Sequence, residues 1–206
     1  MKVIEVSARK GGVGTSTVAV SLAVALSQAK PKSVLLVDTS PNSDTWAIAG
    51  ASTPVGPKKS STTLGEHELL LIKTGGNTLA TLEHDDLFSF DFVVIDAGLS
   101  PASHYFGETP FRVSVVNNSY LSLRAQAFTG GLYADGIVCV HNDGFVLNEK
   151  DVKNVLGGRF VHYFGVDNAV ARAIDAGLYA TSRTNLFADW TGSFIQFHEL
   201  VEPSKV

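Results

Sequence analysis

The stretch VSARKGGVGTSTVAVSLAVAL, residues 6–26, constrains this chain more than any other. An apolar strand runs into a glycine-rich turn, and the turn runs into an apolar helix. Gly11, Gly12 and Gly14 supply a permissive backbone, so successive amide N–H groups can turn inward around one concavity. A helix beginning at that point adds its positive N-terminal end. This is the layout of a phosphate-binding loop, with Ser16 where a hydroxyl would ligate Mg²⁺ and Thr17 within reach of a phosphate oxygen. The general pattern, G-x-x-x-x-G-K-[ST], is met imperfectly. Aligned on Gly14, its first glycine falls on Arg9 and its lysine on Thr15.

Beyond the loop, apolar runs alternate with helical patterns. Strands are expected at 2–8, 33–38, 68–72, 91–96, 111–116, 136–141 and 160–164. Helices are expected at 16–29, 122–134, 149–156, 168–176 and 187–201. The polar segment 39–63, rich in Ser, Thr, Pro and Gly, reads as mostly loop with room for one short helix near Trp46. Lys58 and Lys59 within it read as solvated loop charges. Continuous apolar runs such as SVLLVD suit strands buried on both faces of a parallel sheet. The fold class expected is therefore α/β: a mostly parallel, twisted sheet of about seven strands with helices on both faces. No linker-like break divides residues 1–206, so a single domain is expected.

The run Lys10-Gly11-Gly12-Val13-Gly14 resembles the deviant Walker A motif, KGGxGK[ST], of the ParA/MinD family of P-loop ATPases. The resemblance continues along the chain. Val37-Asp38-Thr39-Ser40-Pro41-Asn42 is similar to the family's VDxDPQ segment that carries switch I, with Ser40 where the second acid usually stands. Val93-Val94-Ile95-Asp96 looks like Walker B, with Ala97-Gly98 opening switch II. Residues 116–124 are similar to a strand followed by the family's "slr" helix, and VARAIDAG at 170–177 to its late pocket-lining segment. The resemblance implies a P-loop NTPase fold, ATP or ADP with Mg²⁺ as cofactors, and a nucleotide-dependent homodimer. It implies catalytic roles for Lys10, the signature lysine that reaches a partner's phosphates, and for Asp38. It implies nucleotide contacts from Lys10, Gly11, Gly12, Val13, Gly14, Thr15, Ser16, Thr17 and Asn142, and a Mg²⁺ site at Ser16, Asp38 and Asp96. A Thr or Ser at the place of Thr15 resembles the TadZ/CpaE branch of localisation factors.

Plainer readings stand beside these. A strand-end acid often caps a helix, but Asp38 and Asp96 in this order behind such a loop point to function. Asn142, before Asp143-Gly144, is equally a turn former or an adenine contact. The lone cysteine, Cys139, lies in the apolar run GIVCV and is expected in the core rather than at a reactive site.

Composition limits the partners. A net charge of −4 gives no overall basic field, so DNA binding would require a local basic patch. The apolar stretch 18–26 is too short to cross a bilayer. The opening Met1-Lys2 shows no signal-peptide pattern, and a reduced, cytoplasmic setting is expected. Residues 187–201 carry an apolar face, but the surrounding acids Asp189, Glu199 and Glu202 outnumber Lys205. Packing on the domain is expected there rather than a membrane anchor.

Three functions follow as expectations. The first is a nucleotide-switched partitioning or positioning protein with slow ATP hydrolysis, working with itself, a stimulating or localising protein partner, and non-specific DNA in some members. The second is a catalytically silent ATP-binding scaffold. The third, a metabolic ligase or metallochaperone of the wider family, is disfavoured because the carrier cysteine pair and the usual loop lysine are both missing.

Overall fold

In a computed structural model of the chain, the structure describes residues 1–29, 34–39, 44–51, 58–64, 67–73, 89–102, 105–128, 134–157 and 161–176. The strands are β1 (Lys2–Ala8), β2 (Val34–Asp38), β3 (Lys58–Leu64), β4 (His67–Lys73), β5 (Phe92–Gly98), β6 (Phe111–Asn117), β7 (Gly136–His141) and β8 (Val161–Gly165). The helices are α1 (Thr15–Ala29), α2 (Asp44–Ile48), α3 (Tyr120–Phe128), α4 (Glu149–Leu156) and α5 (Asn168–Asp175).

The strands form one sheet in the order β3-β4-β2-β5-β1-β6-β7-β8. Every pairing is parallel except β3 with β4. The chain leaves β1 toward β2 on one side and later reaches β6 on the other, so the crevice at the carboxyl end of β1 is a topological switch point, where α/β sheets place ligands.

Period-two alternation sorts the central strands between two cores. Ile4, Val6 and Ala8 of β1, with Phe92 and Val94 of β5, pack against the apolar wall of α1, including Val18, Leu22 and Leu26. Val3, Val93, Ile95 and Ala97 face the other way, with Leu35, Val37 and Tyr105. Because α1 is enclosed, its polar residues must find partners inside. Ser21 Oγ donates to the Thr17 carbonyl at 2.6 Å, and Ser27 Oγ to the Val24 carbonyl at 2.7 Å. Helix α4 starts at a capping box in which Asn148 and Asp151 serve each other's backbone amides, and ends at Gly157 with φ +69°.

The sequence expectation fails in one place. The segment read as loop contains β3, so the sheet has eight strands among the described residues, and Lys58 and Lys59 begin an edge strand. KKSSTTL has no alternating apolar face for a local pattern to detect. Its strand conformation comes from antiparallel pairing with β4, from Lys58↔Lys73 to Leu64↔His67. The third expected helix is described as α3, Tyr120–Phe128, earlier at its start than expected. Residues 129–133 and the expected helix 187–201 lie outside the described residues. Among the described residues no helix is long and apolar enough to cross a membrane.

Cys139 is fully buried among Val116, Leu123 and Val152. Burial, with a smaller contribution from Glu149, pushes its thiol up to about 12. The folded protein at pH 8 is expected to react with a thiol reagent at least ~100-fold more slowly than the unfolded chain, as followed by the absorbance of released thionitrobenzoate; comparable rates would place Cys139 at an accessible site.

Candidate functional site

The turn between β1 and α1 is shaped by backbone conformations that need glycine. Gly12 has φ +73° and Gly14 φ +96°. At Gly14 a Cβ would also lie 3.2 Å from Val140 Cγ2, so a side chain there would be strained by the backbone conformation and crowded against Val140. Val13 between them is buried and pins the turn to the core. The first helical bond of α1 runs from Val18 N–H to the Gly14 carbonyl at 3.0 Å. The amides ahead of it, at the helix start, have no partner within the helix and face the crevice region with the positive end of the helix dipole.

The neighbouring strands bring two acids to this turn. Asp38 ends β2 and Asp96 lies near the end of β5, in register with each other. Both are fully buried. The pairing of β1 with β5 slips at this point, so that Val6 faces Asp96 and Ser7 faces Gly98. Such an irregularity beside a site re-aims the chain.

Asp96 is the hub of the local hydrogen bonding. Thr45 Oγ1 donates to its Oδ2 at 2.6 Å, and Gly98 N–H to its Oδ1 at 3.1 Å. The Ser16 side chain also hydrogen-bonds it. Its carbonyl accepts from Thr39 N–H at 3.1 Å and Thr39 Oγ1 at 2.7 Å. Burial raises the Asp96 carboxyl above the ordinary range. The donors Ser16, Thr45 and Gly98 oppose that shift, and the charge of Asp44 adds to it.

A cleft of about 740 Å³ opens over this hub. Its walls are Gly11, Gly12 and Gly14 to Thr17 on one side, Thr39, Asp44, Ala47 and Ile48 on another, and Ala97 to Ser100 on a third. Beyond Gly12, Gly14 and Thr17 lies a second space of about 190 Å³, walled by Asn117, Val140, Asn142, Phe145, Val166 and Ile174. The larger space combines the glycine turn and the hydroxyls of Thr15, Ser16, Thr17 and Thr39 with the apolar Ala47, Ile48, Leu99 and Ile174, and the smaller one is walled mainly by apolar side chains with Asn117 and Asn142. That is how a small-molecule site divides orientation from burial. Among the described residues that line these spaces there is no lysine or arginine.

Gly11, Gly12, Val13, Gly14, Thr15, Ser16 and Thr17 wall these spaces, whereas Asp96 is buried beneath them, bonded to Ser16, with Asp38 beside it on the next strand. Lys10 stands at the rim, with Nζ 3.4 Å from the carbonyl of its own neighbour Gly11. Asn142 fulfils the turn reading, since its Oδ1 accepts from Gly144 N–H at 2.8 Å, and it also lines the smaller space. Ser40 lies outside the described residues.

Sequence reasoning missed Thr45 and Asn118. Thr45 ties the start of α2 to Asp96 across the crevice, a contact with no local signature. Asn118, fully buried, donates from Nδ2 to the carbonyls of Asn142 and Leu147 at 3.1 and 2.9 Å and accepts from Asn142 N–H at 2.9 Å. It therefore holds the loop carrying Asn142 and Phe145. The only sequence signal was its position just after a strand.

The fold is α/β, with a glycine turn at the switch point of a mostly parallel sheet. A family model described as an AAA domain matches residues 1–64. A comparison with curated proteins finds no match. Among solved structures, the chain is similar to MinD in a MinC:MinD cell division complex from Aquifex aeolicus, with 15% identity, a TM-score of 0.74, and coverage of 100% of this chain and 99% of the other. It is similar to the septum site-determining protein MinD complexed with Mg-ADP from Pyrococcus horikoshii (14%, 0.69, 100% and 99%). It is also similar to a ParA family ATPase from Chlorobium tepidum (18%, 0.64, 92% and 97%). The chain thus has the fold of the MinD and ParA ATPases.

Asp96→Asn removes a buried charge and keeps the side-chain shape. Without nucleotide and with metal chelated, at pH 7, it is expected to raise the melting temperature by about 2–4 °C, equivalent to roughly 1 kcal/mol. Because the folded-state pKa is raised, the wild type loses stability as pH rises from the unfolded-state pKa of about 3.9 to the folded-state value, and the loss is constant above that. The advantage should vanish below about pH 4, where the wild-type carboxyl is protonated in both states. A lower melting temperature at pH 7 would show that the hydrogen bonds to the carboxylate outweigh its burial.

Proposed function

We propose that the chain is a single nucleotide-binding domain of the partitioning or positioning kind, holding ATP or ADP with Mg²⁺ in the crevice after β1. The observation that carries this reading is that the Gly12–Gly14 turn and the start of α1 wall one cleft that shares Gly12, Gly14 and Thr17 with an apolar space, with buried Asp96 bonded to the lining residue Ser16 and Asp38 in register beside it. Phosphates would take the amides of residues 11–17, and the base would take the smaller space beside Asn117 and Asn142. The Mg²⁺ would sit with Ser16, Asp38 and Asp96. Among the described residues no group of three or more His, Cys, Asp or Glu is arranged to hold a metal by itself. One or two carboxylates, a hydroxyl and substrate phosphates are the usual donors for Mg²⁺, so the residues present fit it. Bound there, it supplies positive charge beside the phosphates, which the loop lacks at Thr15.

The missing lysine sets the expected strength. A charge-assisted contact of that kind contributes roughly 1.5–3 kcal/mol. Binding is weakened and not abolished, because the amides and the helix end are backbone features. Hydrolysis depends more heavily on placed cations and an oriented water. With Thr15 in the loop and Ser40 in place of the second switch I acid, we infer slow turnover. A homodimer formed around nucleotide would bring a partner's Lys10 to the phosphates, and its surface would bind a protein or, more weakly, DNA. The MinC:MinD complex and the Mg-ADP complex among the similar structures support this reading by kind. The absence of lysine and arginine from the described cleft lining favours one second reading, a scaffold that binds ATP and does not cleave it.

Calorimetric titration with Mg·ADP and Mg·ATP, with phosphate release followed in the same samples, tests the proposal. Binding of both nucleotides with slow release that Lys10→Ala abolishes is expected. Binding without any release selects the scaffold, and no binding overturns the nucleotide reading.

Restoring the lysine gives a second test. Thr15→Lys is expected to tighten Mg·ATP binding by about ten- to a hundredfold, read by the same titration. Unchanged affinity would show that phosphate does not lie against this turn.

A further inference from the structure

A second polar group lies buried on the opposite face of the sheet, and the nucleotide reading leaves it unused. Glu5, in the middle of the central strand β1, is fully buried. A carboxylate in such a place is costly unless it is hydrogen-bonded. Its bonds go mainly to one stretch of chain. Oε2 accepts from Ala102 N–H at 3.1 Å, and Oε1 from Ser7 Oγ at 3.3 Å. The same Ala102 N–H reaches the phenol oxygen of Tyr105 at 3.1 Å, and Tyr105 itself is buried and hydrogen-bonded to Glu5. Arg112, in register with Glu5 on β6, extends Nη2 to the Ala102 carbonyl at 3.5 Å. Both backbone polar groups of Ala102 are therefore gripped by side chains of the two strands beneath it.

Ala102 ends the segment that begins at Gly98. That segment turns through a Ser100 N–H bond to the Ala97 carbonyl at 2.9 Å, and Gly98, Leu99 and Ser100 wall the larger cleft. They are absent from the lining of the smaller, apolar space. They accordingly stand at the end of the cleft remote from the base, where the third phosphate of a triphosphate would come. At its near end the segment is set by Ser7, which faces Gly98 and also donates to Glu5.

We propose that Glu5 is a positioning residue for the nucleotide cleft, clamping Ala102 so that the 98–102 segment is held at the third-phosphate end and the site distinguishes triphosphate from diphosphate. The proposal rests on the nucleotide reading above and adds to it the residue that sets the segment's place. Glu5 touches neither phosphate nor metal in this account.

The experiment uses the full chain as wild type, Glu5→Leu and Glu5→Gln. Amide hydrogen exchange at Ala102 reads the clamp, and calorimetry with Mg·ADP and the non-hydrolysable Mg·AMP-PNP reads the cleft. Glu5→Leu is expected to speed exchange at Ala102 about tenfold or more. It is also expected to lower AMP-PNP affinity at least ~3-fold with ADP affinity held, a coupling that a general loss of stability would not produce. Glu5→Gln keeps an acceptor oxygen and is expected to restore both values. Unchanged exchange in Glu5→Leu overturns the clamp. Faster exchange with an unchanged AMP-PNP to ADP ratio overturns the coupling. If Glu5→Leu does not fold, Arg112→Ala releases the other side of Ala102 and is judged by the same two readouts. A wild-type chain that binds neither nucleotide overturns the nucleotide reading and the coupling with it, whereas the exchange result alone still decides whether Glu5 holds the segment.

Discussion

Asp96 is a carboxylate held out of water at the end of a central parallel strand, and much of the crevice is arranged by how it is satisfied. Its side chain takes hydrogen bonds from Ser16 in the first turn of α1, Thr45 in the first turn of α2, and the Gly98 amide. Its carbonyl takes two from Thr39. The start of α1, the stretch carrying Thr39 and Thr45, and the turn after β5 at Gly98 are thereby fixed to one residue. The parallel register does the rest, setting Asp38 beside Asp96 on adjacent strands. A charge or ligand introduced above Asp96 would act on all three segments together. That gives a switch a physical basis: a ligand that binds one arrangement of these segments better than another shifts the population toward it.

The loop resolves a tension between backbone and side chain. Position 15 is threonine, yet the features that make such a turn receptive to anions are the positive φ values of Gly12 and Gly14 and the amides at the start of α1. These remain whatever residue 15 carries. What a lysine would add is localised charge, which matters more to transition-state stabilisation than to ground-state binding. Under the proposed reading, binding would be retained and chemistry slowed. Glu5 extends the same theme to the far side of the sheet, where a second buried carboxylate holds the segment that leads away from Asp96.

Much of this was legible in the sequence because it is written locally. The glycine spacing of the turn, the unbroken apolar runs of β2 and β5, and the acids closing them are each contained in a few consecutive residues. The crevice followed from their order alone. What escaped depends on distant partners. β3 is a polar edge strand whose conformation is supplied by β4, so its composition reads as loop. Thr45, Asn118 and Glu5 are ordinary polar residues in one dimension. They gain roles only when the fold sets Thr45 on Asp96, Asn118 under the Asn142 loop, and Glu5 beneath Ala102. At Asn142 the turn reading is met, and its place on a cavity wall is compatible with the proposed adenine contact.

The central claim is that the backbone of the glycine turn and the start of α1 receive phosphate without help from a lysine at position 15. The most direct measurement is a titration of isotope-labelled protein with Mg·ADP, followed through the amide resonances. The account predicts the largest shifts at residues 11–17, with a second group at 117 and 140–145 from the base. Shifts confined to other surfaces, or a glycine turn that does not respond while nucleotide binds elsewhere, would contradict it.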